Sequence, residues 1–141
     1  GQGSVGLEML AAAPELEVLV VPIGGGGLIS GIATAAKALK PGIQVIGVQA
    51  ELYPSMYAAV KGKTLACDGD TLAEGIAVKT PGTLTAQVVK ALVDDIVLVG
   101  ERDLERAVSL LLTIEKTVVE GAGAAGLAAL LAHPRMFRGH K

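Results

Sequence analysis

One stretch of the chain decides the fold: residues 17–28, which read EVLVVPIGGGGL. The run Glu17–Val21 is apolar and β-branched, as a buried parallel strand requires. Glycines then break the pattern, and residues 28–39 resume at helical spacing. A second apolar run, residues 44–50, follows at once. A strand, a glycine turn, a helix and a strand within about 34 residues have the length of one βαβ crossover. The stretch therefore predicts a parallel sheet.

The rest of the chain continues to alternate between helical and strand-like segments. A third strand is predicted at residues 95–99, and the polar segment 63–82 is predicted to be a loop that carries side chains into a site. These alternating elements predict an α/β fold with a parallel sheet flanked by helices. Further helices are predicted at residues 4–13, 54–60 and 83–92, from Glu101 onward with Leu104, Ala107, Val108, Leu111 and Leu112 on one face, and from Glu120 to His133.

Composition excludes several classes of protein. Of the 141 residues, 51% are apolar and 18% are charged, which excludes a disordered chain. The net charge of −2 offers no basic surface for a nucleic acid. No apolar run approaches the roughly 20 residues that cross a bilayer, so no membrane partner is expected. The lone Cys67 cannot form an internal disulfide, which favours a cytoplasmic location.

Four consecutive glycines, Gly24–Gly27, lie between the first strand and its helix. A tight turn needs only one or two glycines, and each glycine is entropically costly to order. Without Cβ atoms, the backbone can present N–H groups to a closely approaching anion at the start of the helix. The segment therefore favours a phosphate ligand. Leu28 and Ile29 follow where a Walker A loop needs Lys and Ser or Thr, and Ile29 replaces the last glycine of a dinucleotide fingerprint. A nucleotide-binding module stays an open alternative.

Several blocks in order give the chain its resemblance to a known family. The stretch around Gly24–Gly27 resembles the phosphate loop of the fold-type II pyridoxal-phosphate enzymes, in the threonine dehydratase and serine racemase branch. Residues 1–4, 73–78, 93–96 and 120–124 fall in the order that this branch shows. The resemblance covers essentially the whole chain. It implies the large domain of the tryptophan synthase beta-like fold, with pyridoxal 5'-phosphate as cofactor.

The resemblance also implies roles for individual residues. Glu74 and Gly75 would lie in the segment that passes the cofactor ring, and Glu120 would place an acid near that ring. Gly121 stands where many members of the family have proline. For each acid, a loop carboxylate or a helix cap is the alternative. A divalent cation would bind Glu51 and the Ser55 carbonyl, but Tyr57 stands where relatives with that site have a third, acidic ligand. The cofactor phosphate would be held by Gly24, Gly25, Gly26, Gly27 and the Leu28 backbone.

The activity implied is that of a threonine or serine ammonia-lyase, which converts the hydroxy amino acid to a 2-oxo acid and ammonia. Serine racemase is the alternative within the family, and a non-catalytic phosphate-binding module is the alternative outside it. The resemblance further implies a homo-oligomeric full-length protein and a role in isoleucine biosynthesis.

Residues 1–141 are expected to form most of the large, cofactor-binding domain. The small domain, the cofactor-linking lysine and the final strand would lie outside this chain, so no catalytic residue is assigned within it. The chain alone is expected to be inactive.

Overall fold

A three-stranded parallel sheet forms the centre of the computed structural model, which describes all residues from Gly1 to Lys141. Its strands are β1 (Val18–Pro22), β2 (Gln44–Ala50) and β3 (Asp95–Val99), in the spatial order β1-β2-β3. Val20 pairs with Ile46, and Ile46 pairs with Asp95 on the other side. All three predicted strands are present, and the predicted α/β fold with a parallel sheet is confirmed.

Seven α-helices and one 3-10 turn surround the sheet. The 3-10 turn, Glu74–Ile76, lies inside the segment predicted as a loop. The last helix was not predicted, because a single turn carries no periodicity to detect. None of the helices combines the length and apolar composition that a membrane span needs. The helices are α1 (Gly3–Ala12), α2 (Gly27–Leu39), α3 (Ser55–Lys61), α4 (Thr83–Leu92), α5 (Glu101–Thr113), α6 (Gly121–Ala132) and α7 (Pro134–Phe137).

The core has two apolar layers, one on each face of the sheet. Leu19 and Val21 of β1 pack with the buried face of α2 on one side. On the other side, Val48 and Val99 pack with the alanines of α6 and with Leu104 of α5. Because β2 is central, all its residues after Gln44 are buried. Because all three strands are parallel, their carboxyl ends lie at one rim of the sheet, with the helix starts next to them.

Helix α5 corrects one detail of the predicted core. Leu104 and Ala107 are buried, but Leu112 is 50% exposed. At 100° per residue, Leu112 lies about 110° around the helix from the middle of the Leu104–Ala107 stripe. The predicted apolar face was therefore too wide, and Leu112 lies at its solvent edge.

Asp94 ties α2 to the sheet and makes the stability of this end of the fold depend on pH. Its Oδ2 accepts a hydrogen bond from Lys37 Nζ and another from the buried Val45 N–H, both at 2.7 Å. Partial burial alone would raise the pKa of Asp94, but the hydrogen bonds from Lys37 and Val45 outweigh it and lower the pKa below the ordinary 3.8. The ionised form is thus favoured in the folded protein. Its stabilising effect is complete above pH 3.8 and is lost as the pH falls through the lowered pKa.

We expect Asp94→Ala to destabilise the protein by about 1–3 kcal/mol at neutral pH, because the buried Val45 N–H loses its acceptor. The difference from the wild type should narrow as the pH falls below 3.8. Thermal unfolding at neutral and acidic pH measures both effects. The control is Asp68→Ala, whose carboxylate pairs with Lys79 at the surface and should have no measurable effect. A difference that stayed constant with pH would contradict the assigned role.

Candidate functional site

A cavity of about 410 Å³ lies where the end of β1 meets the start of α2. Three blocks that are far apart in the sequence meet here: the glycine loop, the 3-10 turn and the start of α6. This is the rim where a parallel sheet places its ligands, beyond the carboxyl ends of its strands. The lining residues are Pro22, Gly24, Gly25, Gly26, Gly27, Leu28, Gly75, Ile76, Glu120, Ala122 and Gly123.

The four glycines of the loop differ in why the structure can hold a glycine at each position. Gly26 has a φ of +92°, and a Cβ there would lie 2.6 Å from Met56 Cε and 2.9 Å from Thr85 Cβ. Gly24 packs against the 3-10 turn, since its Cβ would lie 3.3 Å from Ile76 Cα. At Gly25 and Gly27, a Cβ would meet no atom within 4 Å. The fold itself therefore demands a glycine at position 26 and leaves little room for a Cβ at Gly24, while Gly25 and Gly27 leave open space that a ligand could fill.

The start of α2 supplies hydrogen-bond donors to this space. Counting from Gly27, the first N–H of α2 with a carbonyl partner is that of Ser30, which donates to Gly26 O at 3.1 Å. The preceding N–H groups of Gly27, Leu28 and Ile29 have no backbone acceptor, and no side chain caps the helix. These groups carry the partial positive charge of a helix N-terminus. The loop can therefore bind an anion through its backbone.

Glu120 and Gly75 face each other across the cavity wall. A Cβ at Gly75 would lie 3.2 Å from Glu120 Oε1 and 3.1 Å from Ala122 Cβ. Glu120 occupies the N-cap position of α6, yet its carboxylate makes no capping hydrogen bond. The alternative of a helix cap therefore finds no support in the geometry. Glu74 is exposed and is absent from the cavity lining, unlike the other predicted cofactor-binding residues.

The predicted cation ligands lie at the start of α3. Ser55 is 5% exposed, and its hydroxyl oxygen is buried without a hydrogen-bond partner. Glu51 is exposed just beyond β2. No group of three or more His, Cys, Asp or Glu side chains could hold a metal ion in this structure. Cation binding by Glu51 and Ser55 stays a prediction.

Two residues that contact the glycine loop were not predicted from the sequence to belong to the site. Thr85 Oγ1 donates to Gly25 O at 2.6 Å, and Gly82 N–H donates to the same oxygen at 3.3 Å. Both belong to the start of α4, which the sequence predicted only as a helix boundary. No local pattern signals a contact across 60 positions.

The family model described as "Pyridoxal-phosphate dependent enzyme" matches residues 1–141. The chain belongs to the pyridoxal-phosphate dependent enzymes. Its residues fit this cofactor, because the glycine loop leaves room and free N–H groups for a phosphate monoester beside the 3-10 turn. The cofactor predicted from the resemblance is therefore confirmed at the level of the family.

Curated relatives from bacteria are similar over nearly the whole chain. The L-threonine ammonia-lyase of Thermotoga maritima is 51% identical over 133 residues, which are 93% of this chain and 33% of the relative. The catabolic L-threonine dehydratase TdcB of Escherichia coli K12 is 46% identical over 133 residues, which are 93% of this chain and 40% of the relative. This member of the pyridoxal-phosphate dependent enzymes thus spans about a third of the length of such relatives.

Solved structures of the same family have the same fold. Maize serine racemase has a TM-score of 0.90 and 36% identity, covering 99% of this chain and 45% of that one. The processed threonine deaminase isoform 2 of Solanum lycopersicum has a TM-score of 0.89 and 30% identity, covering 98% of this chain and 41% of that one. These similarities confirm the predicted fold of a fold-type II enzyme. They also confirm the resemblance to the threonine dehydratase and serine racemase branch.

Proposed function

We propose that this chain supplies the cofactor phosphate site of a threonine ammonia-lyase, which forms a 2-oxo acid and ammonia from the hydroxy amino acid. One observation carries the proposal: a single cavity joins the glycine loop, the uncapped start of α2, Gly75 and Glu120. The phosphate would be bound by the backbone N–H groups of Gly24–Gly27 and Leu28. Charge-assisted hydrogen bonds of this kind are about twice as strong as neutral ones.

The residues around the ring-side wall have separate tasks. When bound, pyridoxal phosphate acts as an electron sink for bond breaking at the substrate Cα. Gly75 lines the cavity, where its backbone would pass the cofactor ring, and its missing Cβ leaves room for Glu120 Oε1 and Ala122 Cβ. Glu120 presents a carboxylate oxygen beside Gly75, where it can accept a proton or a hydrogen bond from a polar ring substituent. The chain's own role is to bind and orient the cofactor.

The proposal includes the place of this chain in a larger enzyme. We infer that residues 1–141 form most of its large domain and that the cofactor-linking lysine lies outside them. The share of the curated relatives that the chain spans supports this inference. The isolated chain should then produce no 2-oxo acid from threonine, while the full-length protein should do so.

We propose threonine rather than serine as the substrate, because the curated relatives at 51% and 46% identity are named for threonine. The similarity to maize serine racemase favours racemisation as the second candidate. Both activities are measured on the full-length protein with pyridoxal phosphate. Formation of 2-oxobutanoate from L-threonine supports the lyase, and accumulation of D-serine from L-serine without 2-oxo acid would replace it with the racemase. Tight binding of ATP or NAD in preference to pyridoxal phosphate would favour a non-catalytic module.

The phosphate loop is tested by Gly25→Asp. A side chain at this position enters open space, so the fold should tolerate it, but the added carboxylate would face the phosphate. We expect the affinity of the full-length protein for pyridoxal phosphate to fall about 30-fold, equivalent to roughly 2 kcal/mol of charge repulsion. Fluorescence titration with the cofactor measures it.

The matched control is Gly42→Asp, which adds the same charge at an exposed turn where a Cβ also meets no atom within 4 Å. Gly42→Asp should leave cofactor affinity unchanged. Equal affinities for the Gly25→Asp variant and the wild type would refute the proposed phosphate site.

A further inference from the structure

The glycine loop is held from behind by the start of α4. Thr85 Oγ1 donates to Gly25 O at 2.6 Å, and Gly82 N–H donates to the same oxygen at 3.3 Å. Thr85 does not line the cavity, so the Gly25 carbonyl points away from the space that the loop surrounds. Two donors from one helix start therefore fix the direction of one carbonyl group in the loop.

Fixing this carbonyl also fixes a donor. In a trans peptide, the C=O of one residue and the N–H of the next point in opposite directions. With the Gly25 carbonyl directed toward Thr85, the N–H of Gly26 is directed back toward the cavity. Four consecutive glycines have wide conformational freedom, and a loop without this constraint would have to be ordered at the expense of ligand affinity.

The Thr85 hydroxyl has one proton and two neighbouring acceptors. Gly82 O lies 3.0 Å away, within the turn that begins α4, and Gly25 O lies closer at 2.6 Å. A role confined to α4 would need only the Gly82 contact. The shorter distance assigns the proton to Gly25, across a separation of 60 residues. The hydroxyl thus acts on the loop.

We propose that Thr85 is a positioning residue of the phosphate loop: its hydroxyl orients the Gly25–Gly26 peptide so that the Gly26 N–H is preorganised for a phosphate group. This proposal rests on the proposed function of the loop. The role proposed for Thr85 concerns phosphate recognition alone, because Thr85 forms no hydrogen bond with the 3-10 turn or with Glu120.

The test compares pyridoxal phosphate with pyridoxal, which lacks the phosphate, as ligands of the full-length protein. Thr85→Val removes the hydroxyl at nearly constant volume. We expect it to weaken binding of pyridoxal phosphate about ten-fold, as for one lost hydrogen bond to an oriented peptide, and to leave the affinity for pyridoxal unchanged. Thr85→Ser keeps the hydroxyl and should restore wild-type selectivity. Thr83→Val is the control, because its exposed hydroxyl makes no hydrogen bond and its loss should change neither affinity.

The outcomes separate this inference from the function on which it rests. If Thr85→Val bound both ligands as the wild type does, or lost affinity for both equally, the positioning role would be wrong, and Thr85→Ala gives the same comparison should the valine variant not fold. If Gly25→Asp lowered affinity for pyridoxal phosphate while Thr85→Val did not, the phosphate site would stand and only the role of Thr85 would fall. A wild-type protein that bound pyridoxal as tightly as pyridoxal phosphate would overturn both.

Discussion

Replacing Gly121 with alanine is expected to destabilise the protein by about 3 kcal/mol, the upper part of the usual range for overpacking. A Cβ at this position would lie 2.5 Å from Leu72 C and 2.9 Å from Ala73 N, and still closer to the Leu72 carbonyl oxygen. These are backbone atoms, which cannot rotate away. Glu101 also holds this segment, accepting hydrogen bonds from Thr71 Oγ1 at 2.6 Å and from Leu72 N–H at 2.8 Å. Relief of the contact would therefore require breaking these bonds.

Gly126→Ala is the matched control for Gly121→Ala. It lies in the same helix α6, and its Cβ would meet only Val20 O, at the ordinary contact distance of 3.7 Å. Alanine is the better helix former by about 1 kcal/mol, so Gly126→Ala should leave stability unchanged or raise it. Thermal unfolding of the full-length variants compares the two. If both substitutions had the same effect, helix propensity rather than the Leu72 contact would control this site.

The strands were predictable from the sequence because their signals are local. The β-branched runs at Val18–Pro22 and Gln44–Ala50 are short, apolar and bounded by turn residues, and the structure places both strands within one residue of the predicted bounds. A buried parallel strand is apolar on both of its faces, so it appears in the sequence as a continuous apolar run. The turn at Glu74–Ile76 left no such signal, because its three residues form a single 3-10 turn, which has no repeating pattern to detect.

The residues that line the candidate site were predictable from the sequence, but the contacts that hold its loops in place were not. The glycines of the loop were conspicuous because four in a row need a reason, and Gly75 and Glu120 followed from the order of blocks in the resembled family. The cavity indeed joins these three elements. The hydrogen bond from Thr85 to Gly25 depends on how α4 docks beside α2, which is a property of the tertiary structure. The same holds for the contact between Gly121 and Leu72.

Gly26→Ala should produce the largest loss of cofactor affinity, about 100-fold, equivalent to losing one or two charge-assisted hydrogen bonds to the phosphate. Two effects act together at this position. Its φ of +92° is unfavourable for alanine, and the added Cβ would lie 2.6 Å from Met56 Cε and 2.9 Å from Thr85 Cβ. The loop must shift to relieve both, and the shift moves the N–H groups that face the cavity.

Gly62→Ala separates these two effects. Gly62 ends α3 with a φ of +64°, but a Cβ there meets no atom within 4 Å. Both variants should lose about 1 kcal/mol of stability to the left-handed backbone. Gly26→Ala should lose further stability through its contacts with Met56 and Thr85, and it alone should lose cofactor affinity. Titration with pyridoxal phosphate and thermal unfolding of each full-length variant measure the two quantities. Equal cofactor affinity in both variants would mean that the loop tolerates a Cβ at Gly26, and that its glycines serve the backbone conformation rather than a bound phosphate.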